Sequence, residues 1–234
     1  MMTRRSIDQL VVIAGPTAAG KSILIGKMRT EGSFNLEKLL GIQDLGDWPE
    51  ITAGAMKRHT DLHEERLILH YDFLWPYPAS VMESADGELA LSLLEGARDI
   101  TMITLWTPGN RLARQLIESR LRSPVRGGPA EALKVRVMRA LPTYVVLRLS
   151  RLRWWKAINR RLPTSGLVHH FLALGIYSDD ARLLAMYRSW LRFCDERLPQ
   201  LRAHVIVELG TELNVYSRKE WETRVTRKQE AEFK

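Results

Sequence analysis

Between Gly15 and Ser22 the chain reads GPTAAGKS, and no other stretch restricts the fold so strongly. Ahead of it lies LVVIAG, Leu10 to Gly15, a continuous apolar run stopped by Gly-Pro. Such a run suits a strand buried on both faces of a parallel sheet. Behind it Leu24, Ile25 and Met28 recur at helical spacing, with Gly32 placed to stop the helix. Between strand and helix the side chains nearly vanish and one positive charge appears. Gly15, Gly20, Lys21 and Ser22 meet the pattern Gly, four residues, Gly-Lys, Ser or Thr, in the strand, loop, helix context that the pattern requires. Small residues let the main chain curl so that its N–H groups point inward at a phosphate, and the helix starting there adds the positive end of its dipole. Gly15, Thr17, Ala18, Ala19 and Gly20 are therefore expected to cradle phosphates. Lys21 should reach the β- and γ-phosphates, and the Ser22 hydroxyl should join a Mg²⁺ shell. No Asn-Lys-x-Asp string is present, which favours ATP over GTP.

These eight residues resemble the phosphate loop of P-loop NTPases, and are especially similar to loops in small P-loop kinases and in tRNA dimethylallyltransferases. The resemblance is local: it covers Gly15 to Ser22 strongly and a scatter of later positions loosely. It implies nucleotide binding and an α/β fold more directly than it implies a reaction. In tRNA dimethylallyltransferases a catalytic acid lies in an Asp-Ser motif in the region after the first helix. Here Gln43-Asp44-Leu45 stands instead, a departure that counts against prenyl transfer.

Later segments supply the other parts that such a fold needs. Leu67 to Tyr71 reads as a second strand ending in Asp72. Ligands of open parallel sheets bind beyond the carboxyl ends of the strands. Asp72 is thus expected to hold Mg²⁺ or to accept a proton from an acceptor hydroxyl, as small P-loop kinases use an acid in this region. His70 shares its strand face and is expected to be a packed, hydrogen-bonded histidine. A third strand, Ile100 to Trp106, leads into a helix with Leu112, Leu116, Ile117 and Leu121 on one face. This looks like the element that enters the lid of small P-loop kinases, which makes Arg120 a candidate for charge neutralisation in catalysis, with Arg122 and Arg126 beside it. A fourth strand is read at His204 to Leu209, followed by a turn and a closing helix, and a further strand could lie in PTYVVLRL, 142–149. The fold expected is an α/β three-layer α/β/α sandwich around a mainly parallel sheet, one domain over 1–234. A helical insertion or lid is expected over about 123–200, with Ser178 capping its last helix.

The chain has 234 residues, a formal net charge of +8 and one cysteine, Cys194, which cannot form an internal disulfide. Those values argue against a secreted disulfide scaffold and for a cytoplasmic protein with anionic partners, and no apolar run is long enough for a membrane span. Helix 148–161 interleaves Arg151, Arg153, Lys156, Arg160 and Arg161 with Trp154 and Trp155, a composition suited to nucleic acid as well as to a solvated face. Asp44, Asp47 and Arg58 are candidates for an acceptor site, and the pair His59 and His63 is a weak zinc pattern. The expected activity is transfer of the γ-phosphoryl group of Mg-ATP to a small-molecule acceptor. An RNA-directed transferase or NTPase, or a nucleotide-binding module without turnover, are the alternatives.

Overall fold

The apolar run ahead of the loop is a strand, β1 (Gln9–Gly15), in the computed structural model, which describes residues 7–30, 40–42, 44–52, 65–73, 93–121, 145, 148, 173–210 and 213–232. Along the chain follow α1 (Lys21–Thr30), β2 (Glu50–Thr52), β3 (Arg66–Asp72), β4 (Asp99–Trp106) and α2 (Gly109–Leu116). After these come α3 (Asp180–Arg197), β5 (Leu201–Leu209), β6 (Leu213–Tyr216) and α4 (Arg218–Glu232). Contacts divide the chain into two compact units. One is drawn from Met1–Pro16, Gly20–Trp106 and Trp190–Lys234, the other from Thr17–Ala19 and Thr107–Ser189.

The first unit holds a six-stranded sheet of order β2-β3-β1-β4-β5-β6. Four of its pairings are parallel and only β5 with β6 is antiparallel, so the expectation of an α/β fold with a mainly parallel sheet holds. Flanked on both sides, β1 is buried from Leu10 to Ala14, and β4 from Ile100 to Trp106. That is why both read as unbroken apolar runs rather than as alternating ones. The chain leaves β1 towards β3 on one side and returns to β4 on the other. Open parallel sheets take ligands beyond the carboxyl ends of their strands at such a change of direction. Two strands escaped the sequence reading: β2 has three residues, too few to show a period, and β6 is a half-exposed edge strand.

Inside this unit the Trp190 ring stacks on Tyr71 and Phe73, with centroids 5.2 and 4.9 Å apart. Its indole N–H donates to the fully buried Thr104 hydroxyl at 3.0 Å, and that hydroxyl lies 2.8 Å from His204 Nε2. Thr104 thus joins the indole and the imidazole in one buried polar network. Burial pushes the His204 pKa down to about 4. α4 begins at a capping box: the Ser217 amide donates to Glu220 Oε2 at 2.8 Å, and the Glu220 amide donates to Ser217 Oγ at 3.3 Å.

In the second unit α2 runs into a π-helical turn, Ile117–Leu121, with Leu112, Leu116 and Ile117 buried and Arg111 and Arg114 exposed, as the spacing predicts. The cap of α3 is corrected: Asp179, not Ser178, accepts the Arg182 amide at 3.2 Å. An aspartate one position nearer the helix reaches the first-turn donors that a serine at 178 would have to span. Of the stretch 142–149, the described residues Val145 and Arg148 are helical, not extended. The rest of that stretch, and most of 123–172, lies outside the described residues. Among the described residues no helix is long and apolar enough to cross a membrane.

Candidate functional site

Parallel pairing of β1 with β3 puts Gly15 level with Asp72, so the first loop residue and the strand-end acid are neighbours by register. The Phe73 amide donates to the Gly15 carbonyl at 3.3 Å and extends the pairing one step past the acid. Next to them sits Lys21, the first residue of α1, with only 4% of its surface exposed. Its ammonium donates to the carbonyls of Gly15 at 2.8 Å and Pro16 at 2.9 Å, and to Asp72 Oδ1. A buried cation is tolerated only when its protons are all engaged, and these three acceptors match the three donors of an ammonium. Asp72 is half exposed, so the pair faces solvent on its acid side.

Three features set the main chain of the loop apart. Gly20 has φ 96°, and a Cβ there would approach Leu209 Cδ1 to 2.9 Å, so only glycine suits the position. Ala18 is held at φ 70°, a left-handed conformation that costs an L-residue about 1 kcal/mol or more. Among the described residues, the main-chain amides of Ala18, Ala19, Gly20, Ser22 and Ile23 donate to no carbonyl or side chain, and the helix ladder begins only with Leu24 to Gly20 at 3.0 Å. Unpaired amides at the start of a helix carry partial positive charge. Ser22 is exposed at the same helix start.

His70 lies on the Asp72 face of β3, with Nδ1 3.6 Å from Glu50 Oε1. Burial and then the Lys21 charge lower its pKa against the opposing pull of Asp72 and Glu50, so the ring is neutral at neutral pH. Glu50 is also 3.4 Å from Arg29. Neither Glu50 nor Arg29 stands out in the sequence, because their meeting depends on a three-residue strand and on the register of β2 with β3.

The loop residues Thr17–Ala19 belong to the second unit. There the fully buried Tyr177 donates its hydroxyl to the Thr17 carbonyl at 3.2 Å, and the Thr107 hydroxyl lies 3.5 Å from the Ala19 carbonyl. Tyr177 is separated from Thr17 by 160 residues, and nothing in the sequence marks it.

Of the candidate residues, Gly15, Gly20, Lys21, Ser22 and Asp72 are thus gathered at one corner of the first unit. Arg120 falls in the π-helical turn, and its side chain, like Arg122, Arg126, Arg58, His59, His63 and helix 148–161 apart from Arg148, lies outside the described residues. Asp44 and Asp47 are exposed at the two ends of a 3₁₀ turn whose Leu45 is buried and, among the described residues, bond to neither Lys21 nor Asp72. The chain matches no model of a known protein family and no curated protein sequence.

Proposed function

We propose that this chain is a P-loop NTPase of three-layer α/β/α build that binds Mg-ATP and transfers its γ-phosphoryl group to a small-molecule acceptor, with the helical residues of 123–200 acting as a lid. The observation that supports it best is the state of Lys21: a buried ammonium held by two loop carbonyls and Asp72, beside a row of amides without an acceptor among the described residues. A polyphosphate entering there meets the amides and draws the ammonium away from the carbonyls. The hydroxyl of Ser22 and the carboxylate of Asp72 form a donor set suited to Mg²⁺, a hard cation that takes oxygen ligands and commonly keeps phosphate and water among them. Magnesium supplies charge neutralisation on the phosphates when bound.

Turning Lys21 towards the phosphates releases Asp72. The freed carboxylate takes the proton of the acceptor hydroxyl while that oxygen forms a bond to the γ-phosphorus, and the bond from the γ-phosphorus to the bridging oxygen breaks as the diphosphate leaves. Arg120 completes the charge neutralisation in this scheme. Titration calorimetry with Mg-ATP and Mg-GTP tests the reading. Saturable heat with ATP, with Asp72→Asn lowering turnover about 100-fold and by more than it weakens nucleotide binding, supports it. No heat from either nucleotide sinks it.

A further inference from the structure

Ala18 carries the loop's one non-glycine left-handed conformation, and the carbonyls on either side of it are those held by side chains of the second unit. Tyr177 Oη donates to the Thr17 carbonyl at 3.2 Å, and Thr107 Oγ1 approaches the Ala19 carbonyl at 3.5 Å. A trans peptide is planar, with its C=O and N–H on opposite sides. Holding the Thr17 carbonyl therefore aims the Ala18 N–H the other way, and holding the Ala19 carbonyl does the same for the Gly20 N–H. Both of these amides are without an acceptor among the described residues.

The two holders are themselves fixed. Tyr177 is fully buried, and Gly109 packs so closely that a Cβ there would run into the Tyr177 carbonyl and come within 2.8 Å of Asp180 Oδ1. Thr107 is 4% exposed, and its main chain hydrogen-bonds the hydroxyl of the buried Tyr187. Burial obliges both hydroxyls to find acceptors, and those they meet are the two carbonyls that flank one strained alanine. A phosphate loop requires its amides to face one way before the ligand arrives, because donors set in advance need no reorganisation when it binds.

We infer that Tyr177 and Thr107 are positioning residues for polyphosphate binding, which by gripping the Thr17 and Ala19 carbonyls turn the Ala18 and Gly20 amides towards the phosphates. The inference rests on the reading given under Proposed function. It concerns orientation of the loop only, since neither hydroxyl points at the ligand.

The test compares wild type with Tyr177→Phe, Thr107→Val and Thr107→Ser by calorimetry with Mg-ATP and with Mg-tripolyphosphate, alongside thermal unfolding. Loss of one hydrogen bond that orients a donor should weaken both probes about tenfold in Tyr177→Phe, with Thr107→Val, at its longer contact, losing about threefold. Thr107→Ser restores the hydroxyl and should bind as wild type does. Equal losses for the two probes place the effect on the phosphates rather than on the base, which a general loosening of the fold would not do. Folded Tyr177→Phe and Thr107→Val proteins that bind both probes within twofold of wild type overturn the positioning role while leaving the phosphate site standing. Wild type that binds neither probe removes the phosphate site itself, and this role with it. If Tyr177→Phe does not fold, the contrast of Thr107→Val with Thr107→Ser decides alone.

Discussion

The two ends of strands β1, β3 and β4 carry the same kinds of charged residue and use them differently. At the carboxyl end Lys21 pairs with Asp72 while almost wholly buried and while also bound to two main-chain carbonyls. At the amino end Arg98 pairs with Asp8 and Arg202 with Asp99, both at 3.3 Å, but the arginines are 75% and 56% exposed. The amino-end residues Asp8, Gln9, Glu65, Arg66, Arg98 and Asp99 border an open hollow of about 340 Å³. Their backbones are engaged, with the amides of Asp8 and Gln9 both reaching the Glu65 carbonyl at 3.0 Å and the Asp99 amide reaching Asp8 at 3.1 Å. Among the described residues, no row of unpaired amides accompanies the charges there. What separates the two ends is burial of one partner and the state of the main chain around it, not the presence of an ion pair.

Lys21→Ala breaks the comparison at its strong end and carries the largest expected effect. It takes the side-chain donor from the Pro16 carbonyl and leaves the Gly15 carbonyl with the Phe73 amide, at a cost of about 1–3 kcal/mol in unfolding free energy. The same change removes the cation that meets the phosphates, so the Mg-ATP dissociation constant should rise at least about 100-fold, since hydrogen bonds to charged groups are the strong ones. Denaturant unfolding and calorimetry on one preparation measure both. A variant that binds ATP as wild type does would show that the buried ammonium serves the fold alone.

The strong end was legible in the sequence because its parts are local: Gly15, Gly20, Lys21 and Ser22 lie within eight residues, and strand and helix patterns flank them. Asp72 was legible for a second reason, since an acid closing an apolar run stands out and the parallel register of β1 with β3 then brings it to Gly15. Tyr177, Thr107, Glu50 and Arg29 were not legible. Each gains its role from a pairing that only the tertiary fold makes, and a tyrosine or threonine on a helical or strand pattern reads as ordinary packing. β2 and β6 were missed because three- and four-residue strands carry too little periodicity to separate from loop. Ser178, Asp179 and Asp180 are all residue types that cap helices, and the choice among them turns on where the first helical turn closes.

Between the two ends, His204 tests whether burial is the deciding variable. Its folded pKa of about 4 lies below the unfolded value of 6.5, mainly through burial, with Arg218 pushing the same way and Asp195 opposing. Between those two values the unfolded chain binds more protons than the folded one. The neutral form that lies against Thr104 is therefore fully populated above pH 6.5, and the associated stability is lost as pH falls towards 4. In that window wild type should lose up to about 1.4 kcal/mol per pH unit more than His204→Gln, which does not titrate. Unfolding curves collected from pH 7 to pH 4 for the two proteins measure the difference. Parallel curves would show that the imidazole is solvated enough to protonate freely, and that burial inside this sheet is a weaker force than the Lys21 end suggests.

The smallest effect is expected at the amino end, where it sharpens the contrast. An arginine 75% exposed stays hydrated whether or not Asp8 is beside it, and at about 0.1 M salt the pair is screened over roughly 10 Å. Arg98→Ala should therefore change unfolding free energy by no more than about 0.5 kcal/mol and leave the ATP dissociation constant where it was. The main-chain bond from the Arg98 amide to the Ile7 carbonyl at 2.8 Å survives the truncation, so the strand start keeps its register without the side chain. A loss near that of Lys21→Ala would mean that solvent exposure does not grade these pairs, and the case for Lys21 would then have to rest on the unpaired amides beside it rather than on the burial of its charge.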